Sequence, residues 1–159
     1  MSGRWYPRGT RVGRGQALVE FSLAIVVFLV ILMGIFDLGR AIFMYNGVSE
    51  AARDIARRTA VYPYGGIGGS NYLGSSLETQ SVISTQRGLV PGMVPLSAGS
   101  PDFECVDIAG NPSTNNTCGS GDAQDYVRVT VKAVYSPVTP LVSLAGPITL
   151  SSTSTVAVP

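Results

Sequence analysis

Glu20 is the only charged residue between Gln16 and Phe36, a run that is otherwise apolar or small. An ionised carboxylate deep in hydrocarbon costs on the order of a few kcal/mol, so its placement calls for a cation or for headgroups within reach. Little else in the chain carries chemistry. There is no histidine, which removes Ser-His-Asp and Cys-His nucleophilic sites and leaves metals only carboxylates or the two cysteines. The acids Asp102, Glu104, Asp107, Asp122 and Asp125 make no complete EF-hand spacing and read as solvated side chains, not a Ca²⁺ site. Cys105 and Cys118 fit no zinc motif, and the glycines of 65–69 lack the Lys-Ser/Thr pair of a phosphate loop. The residues therefore point away from an enzyme, and from any metal, cofactor or small-molecule substrate.

The element that positions Glu20 is a helix. At ~1.5 Å per residue the run from Gln16 to Phe36 is about 31 Å long, and the hydrocarbon core of a bilayer is ~30 Å thick. Arg4, Arg8, Arg11 and Arg14 precede it with no acid among them, and without those four the remainder of the chain is net acidic. Beside an apolar span they read as a cytoplasmic retention signal, not a nucleic-acid tail, so the N-terminus is expected inside and the C-terminal domain outside. Residues 1–15 lack apolar periodicity and are expected to be a disordered basic leader. No A-x-A cleavage signal follows the span.

Past Asp37 the pattern becomes amphipathic. Leu38, Ile42, Tyr45, Val48, Ala52, Ile55 and Thr59 recur at spacings of three and four and define one stripe for helix packing. Glu50 is set to pair with Arg53, and Asp54 with Arg57 or Arg58. No proline interrupts 16–62, so one continuous helix of about 45 residues, roughly 70 Å, is expected to end before Pro63, embedded in the membrane to about Phe36. Gly34, Gly39 and Gly47 are candidate bends or points of close helix approach. The small residues Ala51 and Ala52 suggest contact with another helix in an assembly, although the chain's own strands could cover part of the stripe.

Residues 63–74 are Gly-rich and read as a flexible linker. Ser75 or Ser76 can then cap a short helix through Gln86, with Leu77, Val82 and Ile83 inward and Gly88 as its stop. Phe103 to Ile108 reads as a short strand and 111–121 as a loop in which Asn115-Asn116-Thr117 fits a glycosylation acceptor. In Asp125 to Tyr135, Val127, Val129, Val131 and Ala133 share one face. A final strand, Ile148 to Val158, is expected to pair with it antiparallel. Cys105 and Cys118 enclose twelve residues, and outside a membrane pairing is the default over two buried thiols or a metal. The fold class is thus α+β: a long N-terminal helix, transmembrane then amphipathic, and at 75–159 a small disulfide-containing α+β domain ending in an antiparallel strand pair.

The segments RGQALVEF, GIFDLGRAIFMYN and EAARDIARRTAV, from Arg14 to Val61, together resemble the TadE-like family, pilin-like proteins of the tight-adherence (Flp) type IV pilus system. The resemblance implies a set of partners and roles. A prepilin peptidase would cut between Gly15 and Gln16, making Glu20 the fifth residue of the mature chain. Glu20 would then meet the new α-amino group of Gln16, its own or a neighbour's, and set axial register among pilin subunits packed through their helices. Gln16 departs from the hydrophobe usual at the first mature position of major pilins. Under this reading the chain is a structural minor subunit, stored in the inner membrane and later extracellular in a filament, its tip or its priming complex. The alternative is an uncleaved single-pass protein whose outer domain scaffolds an assembly machine or binds a partner.

Overall fold

One helix dominates the architecture because nothing in the sequence stops it. A computed structural model describes residues 12–65, 72–113, 118, 125–144 and 146–159. Helix α1 runs over Val12–Val61, 50 residues or about 75 Å. It begins ahead of Gln16, so the C-terminal end of the expected disordered leader is helical; adding a turn to an established helix is cheap even through Gly13 and Gly15. At the other end Tyr62 N–H donates to Arg58 O at 2.9 Å, and Pro63 prevents continuation. The expected glycosylation triplet at 115–117 and Asp122 lie outside the described residues.

The remaining elements are helix α2 (Leu77–Leu89), strand β1 (Phe103–Val106), strand β2 (Tyr126–Tyr135), the short helix α3 (Pro140–Ser143) and strand β3 (Ile148–Ala157). The strands form an antiparallel sheet in the order β1-β2-β3. Val127 lies opposite Val156 and Tyr135 opposite Ile148, so the expected C-terminal strand pair is present, with β1 added as a third strand. The alternation in β2 is expressed as read: Val127, Val129, Val131 and Ala133 are fully buried. On β3 the inward positions include Ser152 and Ser154, small enough for α1 to approach, and Ser49 Oγ lies 3.2 Å from Ser152 Oγ.

The C-terminal half of α1 seats on this sheet through Val48, Ala51, Ala52, Ile55, Ala56, Thr59 and Ala60, all buried. Ala51 and Ala52 are therefore packed within the chain's own core, and the contact with another helix read from them is corrected to an intramolecular one. Small side chains are needed there because a helix backbone lies close against a sheet. Asp54 pairs with neither Arg57 nor Arg58 as expected; its Oδ2 accepts from Gln86 Nε2 of α2 at 2.9 Å. The Glu50–Arg53 pair is present at 3.9 Å, with both side chains exposed.

Helix α2 is capped by Ser76, whose Oγ accepts from Thr79 N–H at 3.1 Å. It continues past Gly88 to Leu89, and Leu77 points to solvent; Ile83, Thr79 and Gln86 are the buried positions. The inward placing of Leu77 and the stop at Gly88 are thus corrected: Thr79, Ile83 and Gln86 define the buried face, and Leu77 lies on the opposite side of the helix. The joint expected at 63–74 is tied at its ends: Gly74 N–H donates to Pro63 O at 2.9 Å, and Leu73 is buried. Gly74 itself has φ +81°, and a Cβ there would sit 2.8 Å from the Phe103 ring. The disulfide Cys105–Cys118 is formed and buried at Cys105, and the Cys118 N–H donates to Tyr64 Oη at 2.7 Å.

Candidate assembly and anchoring site on the long helix

The sequence-derived site residues divide into three groups along α1. Gly15, Gln16 and Glu20 lie exposed near its start, and a Cβ at Gly15 would meet nothing within 4 Å. Helix α1 passes through the Gly15–Gln16 bond without a break. From Leu18 to Phe36 the large apolar side chains are exposed apart from the half-buried Ile25, and this is the one helix among the described residues long and apolar enough to cross a membrane.

The packing stripe is split by the α+β domain. Val48, Ala52, Ile55 and Thr59 are buried beneath the sheet, while Leu38, Ile42 and Tyr45 remain exposed with Phe43 beside them. The residues turned inward at that level are Asp37, Ala41 and Met44. The covered positions Asp37, Ala41, Met44, Val48, Ala51, Ile55 and Thr59 keep spacings of three and four, so the covered face is continuous and the sequence stripe departs from it by one residue over 38–45, where the inward residue is the polar Asp37. Gly34 and Gly39 face open space, and of the three candidate glycines only Gly47 meets a neighbour: a Cβ there would lie 3.4 Å from Val90.

The group that sequence reading missed is centred on Asp37. Asp37 is 4% exposed, at the point where the apolar run ends and the domain begins. The carboxylate accepts from Val138 N–H at 3.2 Å, from Thr139 N–H at 2.8 Å and from the Thr139 hydroxyl. Tyr135 Oη donates to the Asp37 carbonyl at 2.8 Å and lies 3.2 Å from the carboxylate. Arg40 completes the cluster, 3.8 Å from Asp37 Oδ1 and with its guanidinium carbon 5.8 Å from the Tyr135 ring centre. The Thr139 hydroxyl, followed by its N–H, holds the Asp37 carboxyl down at about 2. Burial first, then the Asp37 charge, pushes the Tyr135 phenol up. In the sequence, an acid directly after an apolar run was legible; its partners, some hundred residues away, were not.

The other acids are committed locally. Asp102 Oδ1 pairs with Lys132 Nζ at 2.9 Å and Glu104 with Arg128 at 3.3 Å. Asp107 accepts from the Asn111 side chain at 3.1 Å and its N–H at 2.8 Å, and the Asn111 side chain leads in lowering its carboxyl below the ordinary range. Among the described residues no three His, Cys, Asp or Glu side chains are grouped to hold a metal.

An exposed apolar helix of membrane length is thus latched, at the Asp37 end of its apolar run, to a disulfide-bonded α+β domain. Residues 15–57 match the model of the family described as TadE-like protein, which bears out the resemblance read from the sequence. The match covers the long helix and stops short of α2 and the sheet. It points to a pilin-like membrane protein associated with a Tad pilus system, a family whose role is structural. No curated protein and no solved structure matches the chain.

Proposed function

We propose that the chain is a structural pilin-like subunit, cut by a prepilin peptidase between Gly15 and Gln16 and assembled through α1 into a Tad-type pilus or its tip or priming complex. The observation that carries this reading is the placement of Glu20 five residues after Gly15, at the head of an exposed apolar helix that matches the TadE-like model. The charge of Glu20 is offset in the apolar layer by the α-amino group of Gln16, its own or a neighbour's, and that pairing sets register between subunits. Leu38, Ile42 and Tyr45, exposed on α1 beyond the span, provide the outer part of the helix–helix contact. The N-terminus lies on the cytoplasmic side, the helix is embedded to about Phe36, and the domain is outside, in keeping with the arginines at 4, 8, 11 and 14.

One observation favours the second reading, an uncleaved single-pass protein whose outer domain scaffolds the machine. Helix α1 runs unbroken through Gly15–Gln16, and a peptidase must open a helix before cutting it. Intact mass of the protein recovered from its host separates the two: a start at Gln16 supports the subunit, a start at Met1 or Ser2 the anchor. Glu20→Leu is expected to leave membrane insertion intact and to abolish assembly. Normal filaments from that variant would remove the role assigned to the carboxylate.

A further inference from the structure

Lys132 is the last charged side chain of the sequence, so the 27 residues that follow carry none. Part of this uncharged tract lies against the outer end of the span. Leu32, Met33 and Phe36 line one groove with Asp37, Val138 and Thr139. The bonds from the Val138 and Thr139 N–H groups to Asp37 fix the height of the segment relative to α1. Beyond the latch the segment presents apolar side chains outward: Val138 is 68% exposed and Leu144 84%, with Val142 also exposed.

We propose that segment 138–144 rests in the outer leaflet of the bilayer that holds α1, as a second, interfacial point of membrane contact. The occupant follows from continuity. The segment packs beside Met33 and Phe36, residues of the apolar run, and Met33 lies about 6 Å below Asp37 along the helix at ~1.5 Å per residue. That depth falls within the ~5–10 Å to which interfacial segments sink their apolar faces. The segment joins Tyr135 to its strand partner Ile148 at the end of the sheet that meets Asp37, so with Asp37 at the membrane surface Val142 and Leu144 belong to the membrane-facing end of the domain. The domain is then held by two points, the helix and the segment, and its orientation over the membrane is set before assembly.

This inference rests on α1 spanning the bilayer, and the test separates the two. The full chain, with its native disulfide intact, is reconstituted in phosphatidylcholine vesicles with or without doxyl-labelled phosphatidylcholine. Single cysteines at Leu144, Val142, Val27 and Thr155 each carry an NBD fluorophore. Leu144 and Val142 are exposed, so labels there do not enter the core, and either one suffices if the other variant is poorly made. Doxyl lipid is expected to quench Leu144→Cys and Val142→Cys at least twofold, Val27→Cys at least as strongly, and Thr155→Cys, exposed at the far end of β3, hardly at all. Quenching at Leu144 and Val142 no greater than at Thr155 would overturn the inference while leaving the span intact. Protection from aqueous iodide at these two sites without doxyl quenching would also overturn it, since a protein partner would then cover the segment. Absence of quenching at Val27 would overturn the span and the inference together.

Discussion

The Tyr135 hydroxyl offers a sharp test of the latch between α1 and the α+β domain. Tyr135→Phe removes the donor that reaches the Asp37 carbonyl at 2.8 Å and the carboxylate at 3.2 Å, while the buried ring stays in place beside Arg40. The carbonyl keeps the acceptor role it has within α1, and the carboxylate keeps Val138 N–H and both Thr139 donors. No buried group is left unpaired, so the loss is that of one ordinary hydrogen bond, about 1–1.5 kcal/mol. If the segment after β2 opens locally, that energy is a five- to tenfold change in the open population, by about 1.4 kcal/mol per decade. Hydrogen exchange on the full chain in detergent, read at the Val138 and Thr139 amides, is the assay. Those amides are expected to exchange about five- to tenfold faster by this estimate, with β2 amides such as Val129 changed less. Unchanged rates at 138 and 139 would refute the latch. A loss as large as that of a core truncation would show that the ring, not its hydroxyl, holds the segment.

Three further outcomes follow from the same geometry. Lowering pH should weaken the latch in a defined window: Asp37 is held at about 2 against an ordinary value of 3.8, so its contribution is full above about pH 4 and is lost as pH falls through 2. Chemical denaturation across that range should show the fall in wild type and a reduced one in Asp37→Asn. Replacing both Cys105 and Cys118 by alanine opens a closure of sequence separation 13 and should destabilise the domain by about 3 kcal/mol in the chain-entropy model, read as a lower denaturation midpoint. Gly92→Ala should cost at least about 1–2 kcal/mol from its left-handed conformation. The added methyl would sit 2.5 Å from Val134 O at φ +72°, so the melt should show a loss, whereas Gly39→Ala, in the helix and facing open space, should be neutral or gain up to about 1 kcal/mol.

Local pattern accounted for most of the fold. Alternation in β2, the Ser76 cap and the proline-free helix each depend on neighbours a few residues apart, so each could be read directly. Misreadings occurred where a local period met a distant partner. Leu77 fitted an inward pattern but faces solvent, because the α2 face that meets α1 is chosen by Asp54, Thr79 and Gln86. The candidate site was legible at Gly15, Gln16 and Glu20, whose argument needs only the helix they head.

By itself the sequence determined that an apolar helix of membrane length leads into a small disulfide-bonded α+β domain. Hydropathy, charge placement and strand alternation are properties of contiguous residues, and the physics that reads them is short-ranged. Tertiary structure alone decided which side of that helix the domain covers. It buries Val48, Ala52 and Ile55, leaves Leu38, Ile42 and Tyr45 open, and sets Asp37 against Val138 and Thr139. The reason is that an amphipathic pattern is ambiguous by one residue where the inward side chain is a polar one such as Asp37, and a buried carboxylate finds its donors wherever the chain returns. Hydrophobicity along one element does not show that an acid turns inward, and its spacing does not show which distant segment supplies the donors.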